Sequence, residues 1–404
     1  MMLFSLRRAA KKLDSNPALF LLASTLLLLR AWPRLFYPEV WAEDGTENLY
    51  GLINYGFIDV FRHVGGYLVL IPKLISFTAL TISFSYYPLI SILLAWAFTI
   101  LVFFVIAKAP LYLRGQYFLA IACFLIPSDP ECFGLPMYMY WWGTLLLFVL
   151  VFWREDKCTI FRICILGLAS LSSPVCLVTF PLFWVRAVLF KRHSTELWIA
   201  IFASLFCAIQ LSVMAIYGKP AEFNFSSAYL VIPVFLGSYL IGNLNSNWNW
   251  IFGFILLIFM IIGFIRNRSL PLGALYYLCF ISIMISIYRV DVSILNPINA
   301  GPRYFFLPYI LISWVLIQVL FLDTSILIKT VSGILLVMSI INAIPHLGRI
   351  HDALHWQDQI THCINSTQYD FRVHTEGSAN QTWSFRLTGK QCETLLQRDW
   401  LYKM

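Results

Sequence analysis

Long apolar runs punctuated by short groups of Lys and Arg dominate this chain, and few folds can house them. Runs such as Pro88 to Ile106, Trp198 to Tyr217, Leu270 to Ile287 and Tyr304 to Phe321 are long enough to cross about 30 Å of hydrocarbon as helices. Hydrocarbon offers a backbone amide no water, so only a helix or a closed barrel satisfies its polar groups there. Unbroken apolar runs lack the alternation of a barrel strand, and the chain therefore reads as an all-α polytopic membrane protein. Composition agrees: 60% of residues are hydrophobic and 12% charged, with a mean hydropathy of +0.77, whereas a soluble domain carries about 25% charged residues.

The net charge of +8 does not point to nucleic acid, because the basic residues gather at the ends of apolar runs, where Lys and Arg are held on the cytoplasmic side. Arg7, Arg8, Lys11 and Lys12 precede the first run, Pro17 to about Ala31. A cleavable signal peptide is the competing reading, but no small-x-small site follows the run, and Trp32, Pro33 and Arg34 come next. The first helix is thus expected to insert from the cytoplasm. Keeping Arg154, Glu155, Asp156, Lys157 and Arg162 on that side, with Arg186, Lys191, Arg192, Arg266 and Arg268, predicts about eleven spans. This count lays Gly65 to Leu80, which contains Gly66, Pro72 and Lys73, along the outer interface. It treats Ala228 to Ile241 as a re-entrant or interfacial helix. The transmembrane unit is expected over residues 1–344, with outer loops near 32–86, 128–139, 218–248 and 288–302, and an extracytoplasmic tail over 345–404.

The tail is polar and carries His346, His351, His355, His362 and His374 together with Cys363 and Cys392, two of the nine cysteines. The histidine spacing fits no compact ligand set, so no metal site is expected. On an oxidising face the two tail cysteines are expected to pair, closing a loop of about 30 residues and contributing about 3 to 4 kcal/mol. The other cysteines fall mostly inside apolar runs, where a thiol is a small hydrophobe.

Charges near a membrane face that do not serve topology are candidates for function. Trp41-Ala42-Glu43-Asp44-Gly45 places two adjacent carboxylates just past the first helix, either of which can serve as a general base toward a hydroxyl. Asp44 is favoured because Gly45 follows it and lets the backbone bend. A solvated acidic loop is the competing reading. A second group is cationic: Arg303, with Lys73, Arg62 and His63. Arginine presents a planar fork suited to phosphate, and snorkelling to headgroups is its bland alternative. Third come Asp129 and Glu131 with Tyr138, Tyr140, Trp141, Trp142 and Tyr304, acids and aromatic faces suited to a sugar acceptor, although a belt of Trp and Tyr is expected at any interface.

Together these features resemble the integral-membrane glycosyltransferases of the GT-C type, and more narrowly the bacterial serotype-converting O-antigen glucosyltransferases. The residues carrying the resemblance are Trp41 to Gly45, Gly66-Tyr67-Leu68 with Lys73, Ser173-Pro174 with Pro181-Leu182-Phe183, and Arg303-Tyr304-Phe305. It covers most of residues 20–320 and leaves the tail unmatched. The resemblance implies a GT-C-like bundle in a bacterial inner membrane with its site toward the periplasm. It further implies a polyprenyl-phosphate sugar donor, a lipid-linked saccharide acceptor and no cofactor. In that scheme Asp44 deprotonates the acceptor hydroxyl, Arg303 and Lys73 neutralise the leaving phosphate, and direct displacement inverts the anomeric centre. The alternatives are a transporter or flippase of lipid-linked saccharide and an O-antigen polymerase or ligase. The chain contains no Walker loop, no GxGxxG and no HExxH, which argues against a nucleotide-driven pump and a zinc protease.

Overall fold

The computed structural model describes residues 16–154, 159–190, 194–218, 225–242, 247–375 and 382–399. The cations Arg7, Arg8, Lys11, Lys12, Lys157, Lys191 and Arg192, with Glu155 and Asp156, lie outside the described residues. In chain order the α-helices are α1 (Asn16–Phe36), α2 (Tyr50–Tyr55), α3 (Leu70–Ile82), α4 (Tyr87–Lys108), α5 (Gln116–Ala122), α6 (Met139–Val151), α7 (Thr159–Ser170), α8 (Cys176–Leu189), α9 (Ser194–Tyr217), α10 (Ser238–Ile241), α11 (Asn247–Arg266), α12 (Leu270–Arg289), α13 (Arg303–Leu322), α14 (Ile326–Ala343), α15 (Trp356–Ile364) and α16 (Gly389–Arg398). Strands β1 (Gln368–His374) and β2 (Thr382–Thr388) lie between the last two, so the all-α expectation fails locally in the tail.

Seven helices, α1, α4, α9, α11, α12, α13 and α14, are long and apolar enough to cross a bilayer. The remaining segments expected to span, α5 to α8, are helices of 7, 13, 12 and 14 residues, only about 10 to 20 Å long at 1.5 Å per residue. Of these, α6 is enclosed along its whole length. Every residue from Met139 to Val151 is buried, as is most of α13, so these helices are apolar all round because they form the middle of the bundle.

The first helix runs beyond Ala31 to Phe36, through a non-helical residue at Ala31 and with Pro33 inside it, so residues 32–36 are helical where a loop is expected. Pro33 offers no N–H to the preceding turn, and the helix kinks there. The two arginines flanking the kink turn inward. Arg30 donates to the carbonyls of Ser128 at 2.7 Å and Ile126 at 3.3 Å, and Arg34 to those of Pro130 at 2.8 Å, Glu131 at 3.2 Å and Phe133. Charge-assisted bonds from two guanidinium groups thus hold the 128–139 loop.

Gly65 to Leu80 resolves into a turn and a helix. Gly65 and Gly66 have φ of +59° and +91°, which only glycine adopts freely, and Val64 and Tyr67 exchange backbone hydrogen bonds across them. α3 follows, burying Ile71, Pro72, Lys73, Ser76 and Ala79. The stretch near Ala228 to Ile241 is a broken helix, with a 3-10 turn at Phe225–Leu230, a π turn at Ile232–Gly237 around Pro233, and α10.

In the tail, β1 and β2 pair antiparallel with Phe371 opposite Phe385 and Val373 opposite Trp383. A disulfide between Cys363 and Cys392, with Cα atoms 6.3 Å apart, joins α15 to α16. The tail does not close its own core. Trp356, Phe371, Val373, Phe385 and Leu387 are buried together with Val40 and Leu49 of the first loop and with Phe84 and Tyr87 beside α4. Polar contacts reinforce this seam: His374 N–H donates to the Val40 carbonyl at 3.0 Å, Leu354 N–H donates to Glu39 Oε1 at 2.7 Å, and Asp399 accepts from Ser83 Oγ and Ser85 N–H, both at 2.8 Å.

Candidate functional site

The first loop decides the site, because its backbone sorts two neighbouring carboxylates onto different sides. Ala42 has a φ of +32°, a left-handed conformation uncommon for a residue with a Cβ, and a π-helical turn starts two residues on, at Asp44. Glu43 thereby lines a cavity of about 360 Å³. Asp44 faces the interior, where Asn48 Nδ2 donates to its Oδ1 at 3.2 Å. Burial pushes the Asp44 carboxyl up to about 8, Glu43's charge adds to the rise, and the Asn48 bond opposes it. Gly45 serves a different purpose from a flexible bend: a Cβ there would stand 2.6 Å from Val373 Cγ1, so its bare Cα lets the tail dock against the loop.

The cavity draws its walls from separate parts of the chain. Glu43, Glu47, Val64, Gly65 and Tyr67 come from the first loop, and Met137, Tyr138, Tyr140 and Trp141 from the second loop and the start of α6. Ser173, Pro174 and Val175 come from the turn before α8, Arg303 and Tyr304 from the start of α13, and Trp383 from β2. Thr144 Oγ1 donates to Ser173 Oγ at 2.8 Å, tying that turn to α6.

Arg303 is the cavity's cation, and it is already paired. Its Nη1 donates to Glu131 Oε1 at 2.5 Å, its backbone N–H to Glu131 Oε2 at 2.9 Å, and Nη1 also to the Tyr138 hydroxyl at 3.2 Å. The Glu131 carboxylate therefore sits at the N-terminus of α13, where a helix favours an anion. The pair is lopsided: Glu131 is fully buried, whereas the Arg303 side chain is 30% exposed and retains an edge on the cavity. Its guanidinium carbon lies 5.4 Å from the Tyr304 ring centroid.

The other expected phosphate ligands are elsewhere. Lys73 is buried in an ion pair with Asp59 and donates to the Glu47 carbonyl at 2.9 Å, which seals it beneath the loop. Arg62 lies exposed with its guanidinium 3.7 Å from the Tyr55 ring centroid, and His63 stacks on Tyr217 at 4.1 Å. None of the three lines the cavity.

Among the expected sugar-binding residues, Tyr138, Tyr140, Trp141 and Tyr304 line the cavity, with the Tyr140 and Trp141 rings 4.8 Å apart. Glu131, Asp129 and Trp142 do not. Asp129 is buried, with Arg349 Nη1 at 3.7 Å from its carboxylate, and burial raises its pKa. Trp142 belongs to the core, donating Nε1–H to the Cys132 carbonyl at 2.8 Å. Sequence reasoning did not single out Glu47 or Trp383. Trp383 had a readable signal, a large aromatic residue in an otherwise polar segment. Two further cavities, about 120 Å³ between α5, α13 and α14 and about 510 Å³ between the end of α1 and the tail, join no carboxylate to a guanidinium.

No protein-family model matches the chain, and neither a curated protein nor a solved structure matches it.

Proposed function

We propose that the chain is an integral-membrane glycosyltransferase. It moves a single sugar, glucose in the favoured reading, from a polyprenyl-phosphate donor to a hydroxyl of a lipid-linked O-antigen or polysaccharide acceptor. The observation that carries this reading is the 360 Å³ cavity, in which the carboxylates of Glu43 and Glu47, a guanidinium edge and six aromatic side chains meet. In the accompanying topology the seven long helices and the four shorter ones make eleven crossings of a bacterial inner membrane, and the cavity and tail face the periplasm.

The base in this scheme is Glu43 instead of Asp44. A general base must reach the proton it removes, and Glu43 lines the space the acceptor would occupy, whereas Asp44 is enclosed and biased toward its neutral form. The acceptor hydroxyl loses its proton to Glu43 and its oxygen bonds to the anomeric carbon. The bond from that carbon to the phosphate oxygen breaks, and the phosphate leaves carrying the electron pair. Direct displacement inverts the centre, so a β-linked donor yields an α-linked product. Arg303 directs positive potential at the departing phosphate, where charge develops in the transition state, and the buried Glu131 holds the guanidinium in place. Tyr138, Tyr140, Trp141 and Tyr304 supply faces for sugar rings.

The test incubates purified protein with glucosyl polyprenyl phosphate and lipid-linked O-chain and examines the product by NMR. A new α-glucosidic bond is expected. Absence of any new glycosidic bond with every hexosyl donor tried, alongside movement of lipid-linked saccharide across protein-containing vesicles, would replace the enzyme with a transporter. Transfer of a whole saccharide chain would indicate a polymerase or ligase.

A further inference from the structure

We infer that Trp383 of the tail is a platform for the acceptor saccharide, and that the tail therefore selects which glycan reaches Glu43. For its catalytic consequence this rests on the glycosyl-transfer reading above, but the sugar contact itself can be measured without turnover.

Along β2, Trp383, Phe385 and Leu387 share one face at the two-residue period of a strand. Phe385 and Leu387 are buried in the cluster that joins the tail to the first loop, whereas Trp383 stays 46% exposed and lines the cavity. The apolar face thus continues past what the tail core covers and ends in an open indole at the site. Its position is fixed through the partner strand. Trp383 pairs with Val373, and Val373 is seated against the bare Cα of Gly45, two residues after Glu43. The loop that carries the carboxylate therefore also registers the strand pair that carries the indole. Tyr140 and Trp141 line the same cavity. A space bounded by several aromatic faces with a few fixed polar groups suits a pyranose, whose C–H face packs on a ring while its hydroxyls remain at the edges. The predicted ligand is a hexose-containing oligosaccharide, bound on its acceptor side and independently of the donor phosphate.

Saturation-transfer NMR on the full-length protein in nanodiscs tests this, with O-chain oligosaccharides released from lipopolysaccharide by mild acid as the probe. Wild type should saturate sugar-ring protons, Trp383→Ala should weaken binding about tenfold, and Trp383→Phe should restore most of it. In the transfer assay Trp383→Ala should raise the acceptor KM by a similar factor and leave kcat and the donor KM within about twofold. Equal oligosaccharide binding by wild type and Trp383→Ala would overturn the inference while leaving glycosyl transfer standing. A raised donor KM in place of a raised acceptor KM would also overturn it. Binding lost in Trp383→Ala by a protein that transfers no sugar would uphold the platform and sink the enzyme. A wild type that neither binds nor transfers would sink both.

Discussion

The first loop has two sides, and they treat the same chemical groups in opposite ways. On one side Glu43 and the edge of Arg303 border a cavity. On the other, Asp44 is enclosed beside Asn48, and Asp59 and Lys73 neutralise each other out of contact with solvent. Acids and bases around this loop are thus divided into a set that can meet a ligand and a set that holds the loop in shape. The difference teaches that an ionisable residue near a membrane face is a candidate for chemistry only if its partner leaves an edge of it open. Arg303 meets that condition, because Glu131 takes part of its fork and the remainder faces the cavity. Lys73 does not.

The sharpest contrast in stability should come from the sealed pair. Lys73→Met leaves the Asp59 carboxylate buried and uncompensated, which typically costs about 3 to 5 kcal/mol, whereas replacing both partners with apolar residues of similar size is often near neutral. Thermal unfolding in detergent should therefore show a large drop for Lys73→Met and recovery in Lys73→Met/Asp59→Leu. Equal loss in the single and double variants would mean that the pair does more than neutralise itself.

Next in size is Arg303→Ala, expected to lower sugar transfer about 100-fold. Arg303→Lys should recover only part, because a point charge replaces a planar fork. Size-exclusion profiles serve as the check on folding, since Glu131 also loses its partner. Wild-type turnover by a well-folded Arg303→Ala protein would erase the distinction between the two cations.

These contrasts were only partly legible in the sequence. The seven long helices followed from unbroken apolar runs, and the extent of α1 was missed by five residues because Trp32, Pro33 and Arg34 read as the start of a loop. The short helices were not separable from full spans in the sequence, because α6 is enclosed by the bundle along its whole length and hydropathy does not distinguish that from contact with lipid. The acids of Trp41 to Gly45 stood out in the sequence, but their sidedness was not readable. It depends on the left-handed Ala42 and the π turn after it, which leave no compositional trace. Tail docking was equally hidden, since it depends on the missing Cβ of Gly45 against Val373, two residues far apart in sequence.

The smallest effect concerns Asp44. Its folded pKa of about 8 lies above the ordinary value of 3.8, so between those values the folded protein keeps a proton that the unfolded chain has released. Stability from this group is present in full below pH 4 and is lost as pH rises toward 8 and beyond. Wild type should therefore melt at a falling temperature from pH 5 to pH 9, and Asp44→Asn should flatten that slope while transferring sugar within about tenfold of wild type. An unchanged slope in Asp44→Asn would show that the enclosed carboxyl is ionised in the folded protein across this range.

The most direct measurement is initial-rate sugar transfer by purified Glu43→Gln beside wild type, with glucosyl polyprenyl phosphate and lipid-linked O-chain. Glutamine keeps the shape of the side chain and cannot take a proton from the acceptor. The expected result is a rate at least about 100-fold lower, the usual scale for removing a general base, with normal thermal stability. Transfer by Glu43→Gln at the wild-type rate would contradict the assignment of this cavity as a glycosyl-transfer site with Glu43 as its base.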